Sequence, residues 1–398
     1  MDIVILADFC GKLNRTGNSR FIYLADILWK NHNVEIITSD FQHGDKSHFT
    51  SEPQGYPYKI TMLHEPGYPK NICLQRFYSH FVWGKNVKKY LANRKKPDVI
   101  YCAIPTLQAS YEAAKYCKKH NIRFIADVQD LWPEAFQMVF NIPVLSSLIF
   151  APFKWIANGI YKRADEVVAV SDTYVNRALS VNKTVKKGHT VFLGTDLQTF
   201  DENVKNNPVQ KPDGEVWLAY CGTLGASYDL TCVFDALDLV REKGIVPPKF
   251  VVMGDGPRRN EFESYAQKKN LDVVFTGRLP YDQMCGRLCA CDITVNPIVH
   301  GSAGSIINKH SDYAMSGLPV LNTQECEEYR KLVSEYNMGF NCINGNASDL
   351  AEKLILLIQD EALRLEMGKN ARRCAEEKFD RKNSYSEIIS CIENVSEK

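Results

Sequence analysis

The chain has 398 residues, 45% hydrophobic and 24% charged, which is the balance of a globular protein too long for one comfortable core, so two domains are expected. Its 48 basic and 47 acidic side chains leave a formal charge of +1, which excludes the polycationic signature of a nucleic-acid-binding chain and leaves any basic surface local. No apolar run reaches the ~18 residues of a membrane span, and MDIVILADFC lacks a basic n-region, so it reads as a buried first strand rather than a signal peptide.

The first part, from Met1 to about Gly194, alternates strand-like and helical patterns. DIVILAD, VEIITSD, PDVIYCAIP, IRFIADV and EVVAVS read as strands, with FIYLADILWKN and SYEAAKYCKKH as helices among them, which implies a parallel, doubly wound sheet. Between Asn71 and Lys96, NICLQRFYSHFVWGKNVKKYLANRKK interleaves aromatics with Lys85, Lys88, Lys89, Arg94, Lys95 and Lys96. Together with IPVLSSLIFAPFKWIANGIYKR it fits two descriptions: core-facing helices with solvated lysines, and basic amphipathic helices on an anionic membrane. DVQDLWPEAF, Asp127 to Phe136, places carboxylates at a strand's carboxyl end, and Pro133 suits a helix's first turn. Asp130 is therefore both a cap candidate and a ligand candidate.

The βα rhythm restarts after a polar, linker-like segment, Gln198 to Glu215. VWLAYCG, KFVVMGDG, VVFTG, DITVNP and PVLN are the strands, and LTCVFDALDLVREKG and EFESYAQKKN the helices. Two Rossmann-type halves facing each other would make a cleft at their strands' carboxyl ends. The expected domains are residues 1–197, residues 198–375, and a terminal segment 376–398 packing back toward the first. In that segment Tyr385, Ile388, Ile389 and Ile392 recur at helical spacing.

Asn296 to Asn322 is the densest site signal. A strand runs into Gly301, Ser302, Ala303, Gly304 and Ser305, whose small side chains leave backbone amides accessible. A helix is predicted from near Ser305 to Gly317, with Pro319 beyond, so its positive end faces that loop and suits an anion such as a diphosphate. Lys309 is one turn in, and Asp312 is roughly 10 Å from the helix start at ~1.5 Å per residue, a distance that fits a ribose. Taken alone, the pattern also describes an ordinary βα turn with a surface Lys and Asp.

Thirteen cysteines, an odd number with many inside apolar runs such as Cys102 and Cys221, indicate a reducing cytoplasm. Cys285, Cys289 and Cys291 lack the recurring pair spacing of a zinc site, so no metal is expected there.

In order, GNSRFIYLADILWKNHNVEIITSDFQH, YKRADEVVAVSDTY, FLGTDLQTF, YCGTLGASYDL, VVMGDGPRRNEFE, VVFTGRLPYDQM, CDITVNP and SIINKHSDYAMSGLPVLN cover most of the chain. Together they resemble the retaining family 4 glycosyltransferases, particularly bacterial members that build surface polysaccharides such as capsule or O-antigen. The resemblance implies an α/β GT-B fold, two Rossmann-like domains with parallel sheets facing a central cleft. It implies transfer of a sugar, with retention, from a nucleotide diphosphate donor, with uridine as the family-level expectation, to a hydroxyl of a lipid-linked saccharide acceptor. No cofactor or metal is required, and a cytoplasmic enzyme, peripheral on the inner face of the cell membrane, is expected.

Carried over position by position, the resemblance makes Lys309 the cation for the departing diphosphate and Asp312 the ribose-holding carboxylate. Gly222 and Thr223 approach the phosphates, and Gly254 and Gly256 form a comparable turn with scaffold and site readings both open. Arg278, with Leu279 beside it, falls where main chain meets the base; Ser302, Gly304 and Ser305 line the phosphate loop. Gly304 stands where many members have an earlier glutamate, and GTLGASYDL lacks their basic pair, so neutralisation rests on Lys309, on amides and on Arg258 or Arg278. In a front-face mechanism the donor phosphate takes the acceptor proton. That leaves Asp130 first, then Asp127 and Glu134, to orient the acceptor, with Gly17, Lys12 and Arg15 in the opening loop. Two rivals share the shape: a nucleotide-sugar epimerase and a non-catalytic nucleotide-sugar-binding subunit.

Overall fold

The computed structural model describes residues 1–11, 13, 19–71, 73–134, 145–302 and 305–394. The chain forms two compact units, Met1–Phe192 with Tyr385–Lys398, and Leu193–Ser384.

The first unit is built on β1 (Asp2–Leu6), β2 (Asn33–Ser39), β5 (Lys59–Leu63), β6 (Val99–Ile104), β7 (Arg123–Val128), β8 (Glu166–Ala169) and β9 (His189–Thr190). They form one parallel sheet in the order β5-β2-β1-β6-β7-β8-β9, and β3 (Phe41–Gln42) pairs with β4 (Ser47–His48) as a separate antiparallel hairpin. Nearly unbroken apolar runs such as DIVIL and VIYCAI suit strands covered on both faces. Strand order reverses direction between β1 and β6, the switch point beside which such sheets take their ligands.

Around the sheet lie helices α1 (Arg20–Leu28), α2 (Leu74–Asn93), α3 (Leu107–His120) and α4 (Leu145–Tyr161). Ser19 caps α1 by accepting from the Ile22 amide, and Asn121, at φ 55°, ends α3 in the left-handed conformation. The terminal helix Ser386–Glu393 sets Tyr385, Ile388 and Ile392 into the same core as Ile3, Ile5, Leu24 and Ile36.

Helix α2 runs against simple amphipathic logic. It buries Arg76, Ser79 and His80 along with Trp83, Val87 and Leu91, while Leu74, Tyr78 and Phe81 are 86%, 63% and 42% exposed. Polar groups facing inward need partners there, and large apolar groups facing outward need a reason. Among the described residues no helix is long and apolar enough to cross a membrane.

The second unit repeats the topology with β10 (Trp217–Cys221), β11 (Lys249–Met253), β12 (Val273–Gly277), β13 (Ile293–Asn296), β14 (Val320–Asn322) and β15 (Gly339–Asn341). All pair in parallel, in the order β12-β11-β10-β13-β14-β15, so its switch point lies between β10 and β13. The segment read as a linker is instead largely helical, Leu197–Asn206, capped by Asp196 on the Thr199 amide at 2.7 Å and anchored by the wholly buried Phe200. Its end lies against Gly286, where a Cβ would come within 1.9 Å of the Asn207 carbonyl. One buried aromatic in a polar decapeptide is too little periodicity to announce a helix.

Candidate functional site

At the second unit's switch point β10 ends on Cys221 and turns through Gly222, whose φ of 146° disfavours any side chain. A Cβ there would lie 2.9 Å from Lys309 Nζ and 3.1 Å from the Tyr220 hydroxyl. Gly254 and Gly256 serve the scaffold: a Cβ would fall 1.8 Å from the Gly222 carbonyl oxygen in the first case and 2.4 Å from that of Leu224 in the second. The turn they seat is pinned by the Gly222 amide donating to Met253 O at 3.0 Å and the Leu224 amide to Asp255 O at 2.9 Å. Thr223 is exposed, and its carbonyl accepts from the Tyr220 hydroxyl at 2.8 Å.

Across the switch point, the helix expected from Ser305 begins at Asn308 and ends at Met315, with Gly317 at φ 66° beyond it. Ser305 and Ile306 are buried and Ile307 is extended, so the chain stays open for three more residues and Lys309 becomes the second helical residue. His310 Nδ1 accepts the Ile307 amide at 3.2 Å and closes the first turn. Ser302 donates its amide to Val299 O at 3.0 Å, and the Ser305 carbonyl accepts from Gln324 Nε2 at 2.9 Å. Gly304 lies outside the described residues.

Lys309 is only 8% exposed, and among the described residues its Nζ has no hydrogen-bond partner. The ammonium sits 4.2 Å from the ring centroid of Tyr220 and 4.0 Å from that of Tyr228. Burial brings its pKa down to about 7. Two aromatic faces offset part of the desolvation of a cation, but they leave its donors unused. The arrangement is suited to receive an anion.

Asp312, on the same helix, faces other partners. Its Oδ1 accepts from Thr195 Oγ1 at 3.1 Å and from the Tyr281 hydroxyl at 2.8 Å, and burial raises its pKa to about 6. These two bonds commit that oxygen within the second unit. Arg278 is exposed just past Gly277, which turns at φ 74°, and Leu279 is half-buried. Arg258 is paired with Glu261, Nε to Oε2 at 2.8 Å.

In the first unit the candidate carboxylates separate. Asp127 is wholly buried within β7; its Oδ1 accepts from Arg20 Nη2 at 3.0 Å and its Oδ2 from Gln129 Nε2 at 2.7 Å. Arg20 also reaches Val191 O at 3.2 Å and the Tyr385 hydroxyl at 3.4 Å, so Asp127 holds the fold together rather than facing an acceptor. Glu134 is likewise committed, to Arg177 at 2.5 Å. Asp130 accepts from its neighbours, the Leu131 amide at 2.9 Å and Trp132 Nε1 at 3.1 Å, and stays partly exposed. Asp130 and Glu134 both stay partly exposed, and Asp130 differs in being bonded to its own chain neighbours rather than to Arg177. Gly17, Lys12 and Arg15 lie outside the described residues.

Asp8, Glu65, Arg76 and His80, by contrast, are a cluster that the sequence reading did not single out. Asp8 Oδ2 accepts from His80 Nδ1 and from Thr106 Oγ1, both at 3.1 Å, and Glu65 accepts from Ser39 at 2.6 Å and Ser79 at 2.7 Å. Burial raises Asp8 to about 6 and, with the charge of Asp8 adding, Glu65 to about 7. Ligand-type atoms of Asp8, Glu65 and His80 lie within 4.8 Å of one another, the spacing of a metal-binding group. Arg76 Nε, however, donates to His80 Nε2 at 3.2 Å, which puts the imidazole proton on Nδ1, facing Asp8. A metal on Nδ1 would have to displace that proton, so the set is a hydrogen-bonded network. The only sequence clue was Asp8 two residues past the first strand; Arg76 and His80 were hidden among the aromatics of α2.

Residues 201–374 match the family described as Glycosyl transferases group 1. The chain is 21% identical over 314 residues to WcaI of Escherichia coli (strain K12), which carries the name of a colanic acid biosynthesis glycosyl transferase, covering 75% of this chain and 74% of WcaI. It is similar in structure to Anabaena Alr3699/HepE, solved with UDP and glucose, at a TM-score of 0.70 and 16% identity over 99% of this chain and 100% of that one. WaaG, described as a glycosyltransferase involved in lipopolysaccharide biosynthesis, superposes with a TM-score of 0.64 at 15% identity over 98% and 100% of the two chains. By its two Rossmann-like units and the match over residues 201–374 of its second, the chain is a glycosyltransferase of the GT-B fold.

Proposed function

We propose that the protein is a retaining transferase that moves a sugar from a uridine diphosphate sugar to a hydroxyl of a lipid-linked polysaccharide precursor. The observation that carries this reading is the buried Lys309 ammonium, without a hydrogen-bond partner among the described residues, between two tyrosine rings and against Gly222. A departing nucleoside diphosphate gains negative charge as its bond to the anomeric carbon breaks, and a preorganised cation stabilises that charge more than it stabilises the ground state. On the same face the acceptor oxygen bonds to the anomeric carbon, and its proton passes to a donor phosphate oxygen. No protein base is then required, and no metal or cofactor is given a role. Asp130, partly exposed and bonded to its chain neighbours Leu131 and Trp132, orients the acceptor hydroxyl.

The uridine donor is supported by the HepE complex with UDP and glucose, and the surface-polysaccharide setting by the names of WcaI and WaaG. A lipid-linked acceptor is supported by the outward apolar face of α2 and α4. Leu74, Tyr78 and Phe81 continue across a Phe77–Phe153 ring contact of 5.2 Å to α4, on which Ile149 and Trp155 are 56% and 66% exposed. Exposed Lys85, Lys88 and Lys89 border this face, the combination that seats on an anionic bilayer.

Incubation with uridine and guanosine diphosphate sugars, with and without lipid-linked acceptors, tests the reading. Acceptor-dependent transfer with retained anomeric configuration is expected; acceptor-independent epimerisation, or inversion, contradicts it. Salt-sensitive sedimentation with anionic liposomes is expected, and its absence removes the membrane part.

A further inference from the structure

The first unit holds a pair of cations, buried Arg76 and half-buried Lys46, that the transfer chemistry above does not use. Arg76 is 9% exposed; its guanidinium lies 4.4 Å from the Trp132 ring centroid and 5.4 Å from that of Tyr68. Nε donates to His80 Nε2 at 3.2 Å and Nη1 to the Asn71 carbonyl at 2.9 Å, both neutral acceptors. Lys46, in the turn of the β3–β4 hairpin at φ 55°, donates to Asn71 Oδ1 at 2.6 Å and His43 Nδ1 at 3.2 Å and lies 4.7 Å from the centroid of the same Tyr68 ring. Tyr68 in turn meets His43 Nδ1 at 2.5 Å. Neither cation forms an ion pair with a carboxylate among the described residues, although Asp8 and Asp130 act on Arg76, and Glu65 on Lys46, at longer range.

The charges register this crowding. Burial and then the Arg76 charge lower Lys46 to about 8, and burial with Lys46 and Arg76 lowers His43 to about 3. Two cations on one tyrosine, each disfavouring the other, are stable together only if something holds them. Here Arg76 is held by His80, and His80 by Asp8, which is bonded to Thr106 just past β6. The group thus stands beside the β1–β6 switch point, where this sheet topology takes its ligands.

We propose that Arg76 and Lys46, with Tyr68 and Asn71 between them, form a phosphate-binding subsite of the first unit, and that its ligand is a phosphate or diphosphate carried by the acceptor. A dianion matches two cations that no described carboxylate pairs directly, whereas one carboxylate neutralises only one of them. Arg76 and Lys46 bind and position; neither is given a part in bond making. The acceptor assignment rests on the transferase reading, but the anion site itself does not.

The test is calorimetric titration of the full chain with inorganic pyrophosphate, using the wild type, Lys46→Gln and Lys309→Met. Two sites are expected: Lys46→Gln, at a half-exposed position, weakens one at least about tenfold, as loss of a charged hydrogen bond does, and Lys309→Met weakens the other. Arg76→Lys, which keeps the charge but loses the fork, is expected to weaken the same site as Lys46→Gln. Pyrophosphate binding unchanged by Lys46→Gln overturns the subsite, and glucuronate bound as tightly as pyrophosphate at the Lys46 site overturns its assignment to phosphate. An effect of Lys46→Gln with none of Lys309→Met leaves the subsite standing and faults only the donor reading. Phosphatidylcholine vesicles doped with a polyprenyl phosphate separate the sources. Binding of these vesicles that Lys46→Gln abolishes identifies a lipid-borne phosphate, and pyrophosphate binding without vesicle binding identifies a soluble one.

Discussion

Gly222 and Lys309 are matched to each other: the space a Cβ would take at Gly222 ends 2.9 Å from the Lys309 ammonium. The glycine is required twice, once by its φ of 146° and once by the cation above it. Gly222→Ala is predicted to cost about 1–3 kcal/mol of stability through backbone strain. It is also predicted to weaken donor binding roughly tenfold by displacing Nζ, a loss of about 1.4 kcal/mol. Thermal unfolding and titration with UDP measure the two effects on one variant.

Asp312 carries a pH signature. Its folded pKa of about 6 lies above the ordinary 3.8 because burial favours the neutral acid. The fold thus binds this proton more tightly than the unfolded chain. The resulting stabilisation is complete below about pH 4 and is lost as pH rises through about 6. Asp312→Asn keeps an oxygen for Thr195 and Tyr281 and removes the titration. The variant is predicted to gain on the wild type, by on the order of 2 kcal/mol, between pH 4 and pH 7. Urea unfolding at both pH values reads the difference; a constant offset would exclude Asp312 as its source.

Asp127 is predicted to be structural. Asp127→Asn leaves the buried Arg20 without a counter-charge, a loss worth about 3–5 kcal/mol. Folded variant at low temperature should keep the wild-type KM for acceptor. A raised acceptor KM with unchanged melting temperature would restore Asp127 to the acceptor side.

The two sheets were legible because valine and isoleucine runs announce strands covered on both faces, and Lys309 was legible because small residues and a helix start point at it. Its tyrosine clamp was not, since Tyr220 and Tyr228 come from other elements and nothing local marks a ring as a cation's neighbour. Asp127 misled for a similar reason: a carboxylate at a strand end looks like a ligand until its arginine, 107 residues away, is in place. On α2 the interleaved aromatics left open whether the apolar face meets the core or a membrane, and the helix turns Arg76 and His80 inward with Trp83 while three large apolar side chains face outward. Tertiary partners, not periodicity, decide which face of such a helix is buried.

The central claim is that Lys309 waits, partly deprotonated, for a diphosphate. With a free pKa of about 7 that rises when an anion binds, Lys309 must take up a proton on binding at pH 7.5. The most direct measurement is calorimetric titration with UDP in two buffers of different ionisation enthalpy, on the wild type and on Lys309→Met. The prediction is net proton uptake by the wild type, and at least about hundredfold weaker binding without uptake for Lys309→Met, a loss of about 2.7 kcal/mol or more. The variant should melt no lower than the wild type, since it removes a buried charge that no described residue pairs. Equal UDP affinity in the two proteins, or binding by the wild type with no proton exchange, would contradict the account.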